Sequence, residues 1–168
     1  MRKIIISLML IITIVFGASC SDTKKDQNQF RFAPENSFHI KLNSNEIQTD
    51  LTFYFDERDS LHLLHDNSDS PLYGLEEIFT EEGVKSRYQE LEFNSLPYSG
   101  GVAVVFYALN TIQKVDPIQT GTENNTIINH FVTKRGEFDF ITSPEQEPIQ
   151  IKGEKDSLAF VIDFLPSA

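Results

Sequence analysis

The chain has 168 residues, 14 of them Lys or Arg and 25 Asp or Glu, for a net charge of −11. That balance repels phosphate backbones and anionic headgroups, which argues against nucleic acid as a partner and against electrostatic attachment to a membrane. Fourteen Phe and five Tyr supply more core material than a disordered chain carries, and the length suits one domain.

In chain order, Arg2 and Lys3 lead into an apolar run from Ile4 to Phe16, and Gly17, Ala18 and Ser19 then precede Cys20, the only cysteine. The run has 13 residues, about 20 Å as a helix, short of the ~20 residues that cross a ~30 Å hydrocarbon core. A retained transmembrane anchor is therefore not expected. The order basic, apolar, small, cysteine resembles the signal peptide of bacterial lipoproteins. The resemblance implies that Cys20 is alkylated by a diacylglyceryl group, that residues 1–19 are removed, and that the new amine is acylated. One position departs from the usual pattern: Gly17 stands three places before the cysteine, where a branched aliphatic residue is usual. Ordinary secretory cleavage after Ser19 is the competing expectation. A cysteine consumed by lipid leaves the mature domain without a disulfide, and two or three acyl chains together anchor a protein durably.

Ser21 to Gln29 is polar and without periodicity, so it reads as a flexible tether reaching at most about 30 Å. Ser21 lacks the acidic charge that holds many lipoproteins at the inner membrane, and Lys24-Lys25-Asp26 resembles the short export tags of Bacteroidota lipoproteins. The expected organisation is a signal peptide at 1–19, a lipidated cysteine and tether at 20–29, and one domain at 30–168. The expected place is the outer membrane, on its periplasmic or cell-surface face.

From Phe30 onward the periodicity is that of strands. Phe38, Ile40 and Leu42 alternate with His39, Lys41 and Asn43; Leu51, Phe53 and Phe55 alternate with Thr52, Tyr54 and Asp56. Each run has an apolar face and a wetter one. Leu61 to Leu64 continues the pattern until Asp66 to Pro71 breaks the chain in a loop. A strand near 73–79 and one helical turn at 84–88 are predicted next. After the turn Pro97 to Gly101, Val102 to Leu109 is apolar on both faces and rich in valine, which predicts a central strand. Asp116 to Asn125 reads as a polar loop. Ile128 to Thr133 and Phe138 to Thr142 read as a hairpin, Ile149 and Ile151 as a further strand, and Leu158 to Phe164 as the closing one. Eight or nine short, mostly antiparallel strands predict an all-β domain, a β-sandwich, with a small closed β-barrel as the alternative.

The chemistry is sparse. His62 and His65 would share a helical face, but on a strand that spacing sends them to opposite faces, so no metal site is expected there or with His39 and His130. Asp66 to Asp69 lacks the spacing and glycine of a calcium loop. No nucleophile elbow, zinc-protease helix or phosphate-cradling loop is present, and the adjacent carboxylates Glu76 and Glu77 point apart on a strand. No catalytic residues and no cofactor are expected. Asp59-Ser60-Leu61 and Asp156-Ser157-Leu158 resemble the sites at which Bacteroidota attach O-glycans, which implies modification of Ser60 and Ser157. The expected function is a non-enzymatic accessory or structural subunit of an outer-membrane protein assembly, anchored through the lipid on Cys20. The alternative is a glycan- or peptide-binding lipoprotein, with Tyr54, Tyr98 and Tyr107 as a possible aromatic platform.

Overall fold

Strong alternation of apolar and polar residues becomes strand throughout. The computed structural model describes residues 30–80, 82–95 and 102–166. Among them are β1 (Phe38–Ser44), β2 (Gln48–Phe55), β3 (Leu61–His65), β4 (Leu75–Thr80), β5 (Gly83–Tyr88) and β6 (Leu91–Ser95). A helix, α1 (Val102–Lys114), follows, and then β7 (Gln119–Glu123), β8 (Thr126–Thr133), β9 (Gly136–Thr142), β10 (Pro148–Lys155) and β11 (Leu158–Phe164). All strands pair antiparallel in one 11-stranded sheet, in the order β6-β5-β4-β3-β2-β1-β11-β10-β9-β8-β7. It consists of two meanders joined where β1 pairs with β11, Leu42 facing Ile162. The chain crosses from one edge of the sheet, β6, to the other, β7, through α1.

The protein is thus all-β in its sheet, but the architecture differs from the one expected. There is one sheet of 11 strands instead of a sandwich of eight or nine, and its edges β6 and β7 do not meet, so it is not a closed barrel. Curvature lets this single sheet enclose its core. Phe106 of α1 stacks on Phe79 of β4 with centroids 4.5 Å apart, while Tyr107, the next residue, meets Phe138 of β9 edge-on at 5.6 Å. Strands far apart in the sheet therefore reach the same helix.

The predicted central strand at Val102 to Leu109 is this helix. Val104, Val105, Ala108, Leu109 and Ile112 are buried, a spacing that marks one helical face. The flanking Phe106 and Tyr107 are half-buried against β4 and β9, and a helix apolar nearly all round is one covered on most sides. The two-sided apolarity read as a covered strand belongs to a covered helix. Residues 84–88, expected as a helical turn, lie in β5, and the expected loop 116–125 contains β7. The turn at 97–101 lies outside the described residues. No helix among the described residues is long and apolar enough to cross a membrane.

The core centres on Phe32, which lies just before β1 and meets the rings of Phe38, Phe53, Phe55, Phe140 and Phe164 at 5.2–6.2 Å. Each such ring contributes about 1.5–3 kcal/mol through burial, with an increment from edge-to-face geometry. Gly153 makes room for this packing. A Cβ there would lie 2.3 Å from the carbonyl oxygen of Glu137 and 2.4 Å from Cβ of Phe138.

Candidate functional site

A hollow in the packing lies where the chain leaves α1. A cavity of about 240 Å³ opens between Phe30, the α1–β7 connection at Asp116 and Pro117, and the inner faces of β7, β8 and β9. Its walls follow from local structure. Arg31 Nη1 donates to the carbonyl oxygen of Ile112 at 2.7 Å, and the amide of Phe32 donates to Gln113 Oε1 at 3.0 Å. These bonds fasten the segment at Phe30 to Phe32 to the last turn of α1, where carbonyls lack helical partners. Burial lowers the Arg31 pKa, opposed by the charges of Asp116 and Asp59. The fastened segment sets Phe30 edge-on against Phe32 at 4.9 Å and Phe140 at 4.8 Å, closing one side.

The floor comes from period-two geometry. Ile127, Asn129 and Phe131 pair with Thr142, Phe140 and Phe138, so one face of the β8–β9 hairpin supplies both apolar wall and polar groups. Thr120 Oγ1 donates to Asn129 Oδ1 at 2.9 Å. An apolar enclosure with a few convergent neutral polar groups suits non-covalent capture of a small ligand with an apolar body. Asp116 is the only ionisable group in its lining.

The histidines sit elsewhere, each beside an acid. His62 and His65 fall on opposite faces of β3. On the outer face His62 Nδ1 lies 2.8 Å from Glu76 Oε1 and its ring stacks on Tyr54 at 4.4 Å; Nε2 is 3.5 Å from Asp56. Arg87 closes the network on the other oxygen of Glu76 at 3.2 Å. Burial and the Glu76 carboxylate raise the Tyr54 pKa. Partial burial pushes Asp56 up, but the amides of Ser60 and Arg58, with His62, outweigh it and hold the pKa below the usual range. On the inner face His65 Nε2 meets Glu77 Oε2 at 3.2 Å with both side chains 1% exposed. The second oxygen, Glu77 Oε1, has no hydrogen-bond partner among the described residues. His130 pairs with Asp139 at 2.8 Å and His39 with Asp66 at 3.6 Å. No group of three His, Cys, Asp or Glu residues suited to a metal occurs among the described residues.

Of the residues singled out in the sequence, Cys20 and Tyr98 lie outside the described residues. Ser60 is 9% exposed at the end of the β2–β3 turn, its amide bonded to Asp56 Oδ1. Ser157 is exposed in the β10–β11 turn with φ 68°. Tyr54 is on the outer face, whereas Tyr107 is on α1 with its hydroxyl bonded to Thr133 Oγ1 and the carbonyl oxygen of Gly136. The two do not form a platform. Phe30, Asn129 and Phe131 line the cavity without having been singled out. Their signal was the alternation of β8, which places Asn129 and Phe131 on one face.

No family model matches the chain, and no curated protein matches it. The cavity's own residues are therefore the ground for assigning its chemistry.

Proposed function

We propose that this protein is an outer-membrane lipoprotein, anchored through acylated Cys20, that works by non-covalent capture of a small ligand with an apolar body. The observation that carries the ligand reading is the cavity of about 240 Å³ with Phe30, Phe131 and Phe140 in its walls and Asn129 and Thr120 as its neutral polar pair. Its position at the root of the tether would hold a captured ligand near the bilayer. Titration with the neutral fluorophore Nile red tests it: one saturable site per chain is expected, weakened by Asn129→Leu and abolished by Thr120→Trp, which fills the hollow. Equal binding by all three proteins would overturn the assignment. The anchor is tested separately by metabolic labelling with an alkynyl fatty acid, expected in the natural chain and absent in Cys20→Ala.

A second reading, an accessory subunit of an outer-membrane assembly, is favoured by a different observation. At the β6 edge Leu91 is 70% and Phe93 50% exposed, on a strand whose outer side has no neighbour in the sheet. Crosslinking in intact envelopes from residue 93 is expected to trap a membrane-protein partner if this reading holds.

A further inference from the structure

A second hollow, of different character, is lined by α1 itself. Two cavities, of about 180 and 250 Å³, share Phe79, Phe106 and Asn110 in their linings, so they lie on either side of the stacked Phe79–Phe106 pair. Each is comparable in size to the cavity beside Phe30, and the shared lining makes them neighbours along one groove. Four cations line this groove, Arg58 and Lys114 in the smaller part and Arg135 and Lys155 in the larger. The chain as a whole has a net charge of −11, so the concentration is against the general field.

The two ends are not equivalent. Arg135 and Lys155 both bond Asp156, and that carboxylate occupies them. Arg58 and Lys114 make no ion pair within the described residues. Asp59, in the same lining, accepts a hydrogen bond on Oδ1 from Gln113 Nε2 at 3.1 Å and keeps its negative charge. Among the described residues the lining at the Arg58–Lys114 end therefore carries two cations against the one carboxylate of Asp59. From there Phe106, Phe79 and Val84 lead into the larger hollow.

We propose that this groove binds an amphiphilic anion, with its carboxylate or phosphate head between Arg58 and Lys114 and its apolar tail laid past Phe106 and Phe79. The site is separate from the cavity beside Phe30 and does not depend on ligand capture there. Lys114 also lies in the last turn of α1, where a cation complements the helix dipole; only a binding measurement separates the two roles.

The test is a titration of the full chain, in phosphatidylcholine nanodiscs, with dodecanoate carrying carbon-13 at its carboxyl, against empty nanodiscs. A saturable bound-carboxylate resonance at one per chain is expected. The double variant Arg58→Gln/Lys114→Gln should weaken it by about tenfold or more, as loss of charge-assisted hydrogen bonds predicts. The control Lys41→Gln/Lys152→Gln, on the outer face, should leave it unchanged, and dodecanol should bind far more weakly than dodecanoate. Displacement of dodecanoate in phosphatidylglycerol nanodiscs would assign the head to a membrane lipid, and persistence would assign it to a free carboxylate. Wild-type affinity in the Arg58/Lys114 variant, an equal loss in the control, or dodecanol binding as tightly as dodecanoate would each overturn the proposal.

Discussion

The half of the sheet from β1 to β6 and the half from β11 to β7 share one core but end differently, β6 presenting Leu91 and Phe93 to solvent while every residue of β7, Gln119 to Glu123, is exposed and none is a large apolar one. The inner faces differ as well. The first half buries His65 against Glu77, with Ser86 opposite Glu77 in register, while the second is lined by Phe131, Phe138, Phe140 and Phe160 around Gly153. An edge without apolar side chains, with Gly121 at its centre, is poorly suited to pairing with another chain, and an apolar edge invites cover. On its inner side β6 is held to β5, where Glu92 meets Arg87 at 3.3 Å and Lys85 at 3.5 Å. The two ends of the sheet thus differ in kind, a hollow lying near the polar edge and exposed apolar side chains at the other.

The sharpest way to break this comparison is at the buried pair. His65→Leu leaves the Glu77 carboxyl without its partner in an apolar interior and should cost about 3–5 kcal/mol, whereas His65→Leu/Glu77→Leu should cost little or stabilise. Urea denaturation of both variants checks it; similar losses would mean that the pair holds the first half together. In the second half, Gly153→Ala forces a methyl into backbone and Phe138 atoms and should cost about 1–3 kcal/mol, measured in the same way.

At the edges the expected effect is on association. Leu91→Lys/Phe93→Lys should change stability by less than about 0.5 kcal/mol yet abolish crosslinking at the β6 edge, while Thr120→Lys/Thr122→Lys leaves that crosslinking intact. The smallest effect is acidic. The pKa of Asp156 is lowered from 3.8 to about 2 by hydrogen bonds from Arg135 and Lys155, and that of Asp56 is also lowered. Because both folded values lie below the unfolded ones, their stabilisation is full above the ordinary carboxylate range and is lost as pH falls through the folded values. For Asp156 that window runs from pH 3.8 to about 2; it is fully exposed, so Asp156→Asn should soften the acid limb of the melting curve only slightly. Asp56→Asn should soften it more, since Asp56 accepts the amides of Arg58 and Ser60 at 2.8 Å.

Much of the sheet was legible in the sequence because its strands have one dry face. β1, β2, β8, β9 and β11 alternate cleanly, and the opposed faces of His62 and His65 follow from the same period. α1 was not legible as a helix because the sheet wraps it, which removes the polar stripe that reveals a surface helix. β5 and β7 were missed for the opposite reason: Lys85, Arg87 and the residues of β7 carry too little apolar signal to announce a strand. The cavity was half legible. Asn129 and Phe131 share a face by alternation, but Phe30 joins them only through the bonds of Arg31 and Phe32 to the end of α1, a contact across 81 positions with no local pattern.

On the reading proposed above, the hollow beside Phe30 is an occupied site in the working protein. Native mass spectrometry of the full chain taken directly from its native cells tests it most directly. A bound small molecule on the natural chain, absent from Thr120→Trp of equal melting temperature, is the predicted result. The same mass on both proteins, or none on either, would contradict it.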